Sequence, residues 1–227
     1  MIKIYKLTIL FFLLLMPFSS HSHVQHYEKL NKIEFDIYRN NKNIGKHIFS
    51  FKKDNEQLIV DSEIYFEIKK FGVVLYKYNV KGTEVYKNNM LTKFNSKTYA
   101  NGKEKYVNIK EENKELIIDG SSYKGKAPIE YLIGTWWNHS IVKAEAQISA
   151  VSGRIIKQKV TFLGDEVLII NGKEYKALHF NFSSSDQSLK KNKKLNTDIW
   201  YDKDNLNWIK ATFNKSGEWE YKLISIN

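Results

Sequence analysis

The chain is predicted to be all-β, a single antiparallel β-barrel or strongly curved half-barrel of about a dozen strands, with one short helix. Three observations predict this. After the leader, Pro128 is the one proline, and central strands exclude proline because it cannot donate to the ladder. Apolar and polar residues alternate along most of the chain. The pattern is clearest where Leu58, Val60, Ser62, Ile64, Phe66 and Ile68 share one face and Asp61, Glu63, Glu67 and Lys69 the other. Asn-Gly pairs at 101–102 and 171–172 then mark tight hairpins, because both residues tolerate positive φ.

The first 22 residues read as a secretory signal. Lys3 and Lys6 precede an apolar run from Leu7 to Phe18, and Ser20 and Ser22 stand at the small-residue positions of a cleavage site after Ser22. The run is too short for a membrane span, and no later stretch is long enough, so no transmembrane helix is expected. Residues 23–227 then form one domain, large enough to fold without disulfides. The chain has no cysteine, although an oxidising compartment would have permitted them. The expected location is the periplasm, or outside the cell, of a Gram-negative bacterium.

The elements follow in order. Residues 23–31 are a polar lead-in. Ile33, Phe35 and Ile37 form a strand, Asn40–Asn43 a turn, and Phe49 and Phe51 mark the return strand. The alternating run around Val60 leads to a bend at Phe71-Gly72. Strands are expected at 73–86, with Tyr76, Tyr78 and Val80 on one face, then at 91–99, 105–110 and 115–119. The period then changes. Ile129, Leu132, Ile133, Trp136 and Trp137 have helical spacing, with Pro128 suited to the first helical position and Asn138 at the end. Such a helix would cover or plug the open side of the sheet. Strands resume at 155–163, 167–170 and 175–182. A lysine-rich loop spans 183–196, and strands at 197–201, 206–213 and 219–226 close the chain.

One set of residues carries a family likeness: Glu84, Leu91, Ser96, Thr98, Asn101 and Gly102, then Trp136 or Trp137, Gly153, the run Asp198-Ile199-Trp200-Tyr201-Asp202, Gly217 and Tyr221. With these the chain resembles a family of uncharacterised exported proteobacterial proteins, one of the domain-of-unknown-function groups. The resemblance implies a curved antiparallel sheet, distantly similar to the periplasmic lipoprotein carriers, whose half-barrels hold acyl chains under a helical lid. It implies no activity. The lysine bias and the 183–196 loop depart from the family pattern.

The formal charge of +11 becomes +9 when Lys3 and Lys6 leave with the signal. Of the 36 basic residues only Arg39 and Arg154 are arginine. Nucleic-acid recognition favours arginine forks, so no nucleic-acid partner is expected. The lysines read as genome composition or as a face for an anionic envelope surface.

Tyr76, Tyr78, Trp136, Trp137, His139 and Trp200 are the candidate ligand-binding residues, for an aromatic wall with a polar handle suits an apolar or amphipathic guest such as a lipid or acyl chain. Ordinary core packing is the competing reading. Of Trp200 and Tyr201, at most one can face inward. His21, His23 and His26 could chelate copper with His47, His139 or His179, but no ligand spacing supports a metal, and none is expected. Asp198, Asp202 and Asp204 read as a turn rather than a calcium loop. Ser183–Ser185 near His179 lacks a nucleophile elbow, so no catalytic residue and no cofactor is expected. Three functions remain: an exported non-enzymatic carrier with a barrel interior, an envelope interaction module with a filled core, or an outer-membrane barrel. A large apolar cavity would favour the first and a solid core the second.

Overall fold

A computed structural model describes residues 25–186, 188–190 and 193–227. The signal segment, with its cleavage site, His21 and His23, lies outside them, as does the side chain of His26. A 3-10 helix at Gln25–Lys29 precedes fifteen strands. They are β1 (Lys32–Arg39), β2 (Lys42–Asp54), β3 (Gln57–Lys70), β4 (Val73–Lys87), β5 (Met90–Ala100), β6 (Lys103–Glu112), β7 (Glu115–Gly120), β8 (Lys124–Pro128), β9 (Leu132–Ile133), β10 (Ala146–Ile148), β11 (Ile155–Ile170), β12 (Lys173–Ser184), β13 (Asn196–Asp202), β14 (Trp208–Asn214) and β15 (Glu218–Ile226).

All belong to one curved, open sheet in the order 8-7-6-5-4-3-2-1-15-14-13-12-11-10-9. Two-residue turns join β1 through β7 and β11 to β12, while residues 134–145 join the parallel β9 and β10 and residues 185–195 join β12 to β13. The two arms of the meander join where β1 pairs with β15, Ile37 opposite Tyr221. The edges β8 and β9 do not pair, so the half-barrel alternative holds and closure does not. Residues 129–131 link those edges. The 149–153 turn also reaches across, its Ser152 carbonyl accepting from Ser122 N at 2.9 Å. Gly120 permits that approach, since a Cβ there would lie 2.7 Å from the Ser152 oxygen.

The inner face carries the core. Ile33, Phe35, Ile37, Phe49, Val60, Leu91, Phe94, Val107, Leu116, Ile199 and Ala211 are all fully buried, and along the long strands β1–β5 the alternate residues are more exposed. The burial of β1 alternates residue by residue, as the spacing of Ile33, Phe35 and Ile37 requires.

The expected helix over 128–138 does not form. Pro128 instead ends the edge strand β8 opposite Glu115, a place where its missing N–H is tolerated. Leu132 and Ile133 pair in parallel with Gln147 and Ile148, and Gly134 N donates to Ile148 O. A short 3-10 helix follows at His139–Lys143, capped by Asn138. The apolar residues at helical spacing are buried because the segment runs between walls that cover more than one side of it. Gly134 and the β-branched Ile129, Ile133 and Thr135 also weaken an isolated helix. Ile155–Ile170 is one strand rather than two, with a register shift between Phe162 and Gly164 in place of a loop.

Candidate functional site

The inner face of β4 presents Val80, Gly82, Glu84 and Tyr86, two apart along the strand. Glu84 is thereby carried into the core with no exposure to solvent. A buried carboxylate needs donors, and three reach it. Tyr86 OH lies 2.6 Å from Oε2, while Thr135 Oγ1 and Trp137 Nε1 lie 2.7 and 3.0 Å from Oε1. Burial pushes the Glu84 carboxyl above the usual range, and the three donors pull the other way. The 129–143 segment, which supplies Thr135 and Trp137, is thus fastened to the sheet wall by a polar clamp.

Trp137 is fully buried and boxed edge-on by Tyr27, Phe51 and Tyr86, with ring centroids 5.0, 5.4 and 5.5 Å away. Tyr27 ties three chain regions together: its hydroxyl donates to Leu206 O at 3.0 Å and accepts from His139 N at 3.1 Å. Burial raises its phenol well above the ordinary value. His139 is buried edge-on against Tyr201, 4.8 Å between centroids, and Tyr201 OH donates to Trp136 O at 2.9 Å.

A second aromatic group lies around Trp208. Phe35 packs on it at 3.9 Å, and His47, Trp136 and Tyr221 surround it at 5.6–5.8 Å. Burial holds the His47 imidazole down at about 3, so it is neutral at physiological pH. Both His47 ring nitrogens and Trp136 Nε1 lack a protein partner there. Trp136 adopts φ 64, an unusual backbone for a bulky residue.

The six sequence candidates therefore separate. Tyr78 stacks on Phe66 at 4.8 Å and lies near Tyr76, with Trp219 edge-on to Phe66. Trp136 faces the Trp208–Tyr221 group, and Trp137 and His139 face the Tyr27 group. Trp200 lies on the strand face opposite Ile199 and Tyr201, yet is only 7% exposed. Tyr201 takes the inward position because neighbours on a strand alternate. Trp200 stacks on its cross-strand neighbour His179 at 4.0 Å and donates from Nε1 to Glu166 at 3.0 Å. That indole, ahead of His179, holds the Glu166 carboxyl below its usual range. His179 Nδ1 meets Glu166 at 2.6 Å. The serines nearby are engaged in structure: Ser183 Oγ donates to Lys159 O, and Ser184 Oγ accepts from Leu195 N.

Asp202 accepts from Asp204 N at 3.1 Å and from Asn205 Nδ2 at 2.7 Å, which is turn chemistry. Among the described residues no three His, Asp or Glu side chains come together as a metal site. No helix among them is long and apolar enough to cross a membrane. Depressions of about 1030, 750 and 420 Å³ lie along the sheet. The largest of the three crosses β2–β6, with Asp61, Thr83, Lys97 and Tyr99 in its lining, and the second is lined by Arg39, Lys42, Lys69 and Lys77.

Sequence reasoning missed Glu84 as a buried clamp, and Tyr27, His47 and Trp208 as interior groups. Parity could have found two of them. Glu84 shares the face of Val80 and Tyr86, and His47 that of Phe49 and Phe51.

One solved structure of low sequence identity shares this architecture. A β-barrel-like protein of domain of unknown function DUF1849 from Brucella abortus superimposes with TM-score 0.59 at 10% identity, covering 87% of this chain and 97% of that one. A Bacteroides fragilis protein with a YmcC-like fold gives TM-score 0.37 at 8% identity, over 86% and 94% of the two chains. A comparison with curated proteins finds no significant match. The model of one family, described as a domain of unknown function (DUF6134), matches residues 35–224.

Proposed function

The chain belongs to the DUF6134 family, and from its geometry we propose that it is an exported, non-enzymatic interaction module of the cell envelope that works through its outer surface. One observation carries this reading: the hollow of the half-barrel is occupied by the protein's own side chains. Tyr27, Phe35, Phe49, Phe94, Trp137, Tyr201 and Trp208 are fully buried, and the segment bearing Trp137 is clamped to Glu84. A carrier of acyl chains needs an apolar cavity lined by such residues; here they pack on one another. The depressions described above have mixed linings instead, Asp61, Lys97 and Tyr99 in one and Lys42, Glu67 and Phe66 in another. The leader motif supports export, and the lysine excess suits a partner with an anionic surface.

Native mass spectrometry of protein purified from its own envelope tests this reading. The expected spectrum shows the polypeptide mass alone. A co-purifying lipid that survives desalting would overturn the filled-core reading in favour of a carrier.

A further inference from the structure

Seven two-residue turns join consecutive strands of the meander, and the first residue of each has φ between 48° and 54°. In six that residue is asparagine, at 40, 55, 88, 101, 113 and 171. Asparagine suits this backbone because its short polar side chain tolerates the left-handed region. In the seventh, between β3 and β4, the residue is Phe71, at φ 50 and 94% exposed. A bulky aromatic side chain is doubly misplaced there, in an unfavourable backbone and in water. Departures from local rules of this kind concentrate at functional positions.

The surroundings of Phe71 give it a context. β2 stops pairing with β3 at Gly45–Phe66, and β5 stops pairing with β4 at Tyr78–Ala100. Residues 67–77 therefore continue as a two-stranded hairpin past the last β2–β3 and β4–β5 pairs, four residue pairs and a turn, on the order of 15 Å at strand rise, with residues 42–44 of β2 beside its base. On this projection Val73, Val74 and Leu75 are 62, 46 and 53% exposed, so both faces of the strand are apolar where alternation would place polar residues. Lys69, Lys70 and Lys77 surround the apolar tip, and Glu67 is the one acid among residues 67–77. Glu67 pairs with Lys69 at 3.0 Å and Lys77 at 3.6 Å, which leaves the projection net positive. The basic depression lined by Arg39, Lys42, Lys69 and Lys77 opens at the base of the same hairpin.

We propose that the β3–β4 hairpin is a membrane anchor that inserts Phe71, Val73, Val74 and Leu75 into the interface of an anionic phospholipid bilayer. Its lysines and the basic depression then meet the phosphate headgroups. An apolar tip ringed by cations matches a surface whose interior is apolar and whose boundary is anionic. The projection is longer than the depth to which interfacial segments sink, about 5–10 Å. The proposal deepens the surface-module reading by naming its partner.

Flotation of the purified protein with vesicles tests it. Vesicles of equal parts phosphatidylglycerol and phosphatidylcholine should carry the protein, and pure phosphatidylcholine should not. Phe71→Asn should weaken binding about tenfold while leaving the thermal midpoint equal or higher, because asparagine suits the turn. Lys70→Gln and Lys77→Gln should each weaken it about fivefold, with high salt acting in the same direction. Flotation of Phe71→Asn at wild-type levels would overturn the proposal, as would equal binding to both vesicle types or no binding to either. The two readings fail separately. A lipid in the native mass spectrum refutes the filled core without touching the hairpin. Absent flotation removes the anchor and leaves the core intact.

Discussion

Replacing Trp137 by alanine asks whether the interior is packed as the geometry states. The ring has no exposure and touches Tyr27, Phe51 and Tyr86, so its loss removes buried apolar surface and opens a cavity. Such truncations cost about 3–5 kcal/mol. The indole N–H is also one of three donors to the buried Glu84 carboxyl, and its removal adds roughly 1 kcal/mol. In a domain of this size each kcal/mol moves the midpoint by about 2–4 °C, so Trp137→Ala should melt roughly 10–20 °C below the wild type. Differential scanning calorimetry reads this directly. Free indole at a hundredfold excess over its dissociation constant should return about 2.7 kcal/mol by filling the vacated space. A loss below about 1 kcal/mol, with no response to indole, would contradict a packed interior at Trp137. It would mean that Trp137 borders a hollow.

Three further outcomes follow from single residues. His47 is buried and held at about 3, against 6.5 when free. The unfolded state therefore binds a proton that the native state refuses, and stability falls as pH drops from 6.5 towards 3, by about 3 kcal/mol at pH 4.5. Urea titrations of His47→Phe should lack this part of the acid slope, and an unchanged slope would contradict it. Glu84 has the opposite displacement, its carboxyl raised, so the native state favours the proton and stability falls as pH rises above 4.5. The gap between Glu84→Gln and wild type should therefore shift in the variant's favour between pH 5 and pH 8; a constant gap would show that Glu84 does not titrate differently on folding. At Gly45 a Cβ would sit 2.0 Å from Tyr65 O and 2.6 Å from Phe66 Cα. Gly45→Ala should cost about 3 kcal/mol, the upper end of overpacking, and a wild-type urea midpoint would show that β2 and β3 are less tightly apposed.

The sheet was legible because its code is local. The alternation of Leu58 to Ile68 sets which face is buried, and Asn101-Gly102 and Asn171-Gly172 set their turns, without reference to distant residues. The 128–138 segment was not legible for the opposite reason. Its apolar residues are buried by walls that other parts of the chain supply, and any segment running through an interior mimics amphipathic spacing. Trp200 illustrates a third case. The large area of tryptophan suggests the core, but strand parity puts Tyr201 inside, and His179 and Glu166 cover the indole outside. At Glu84 the glutamate alone predicts a solvent-facing position, and only the donors from Thr135 and Trp137, 51 and 53 residues away in sequence, make its burial tolerable. Phe71 could be read as a bend from its neighbour Gly72. Its meaning emerges once the register shows that no strand flanks it.

Side chains fill the curve of the sheet. Crystallographic density from protein purified out of its own envelope tests this most directly. The space between Tyr27, Trp137 and Trp208 should hold those rings and at most an ordered water near His47. Continuous elongated density running between the sheet wall and residues 129–143 would contradict it.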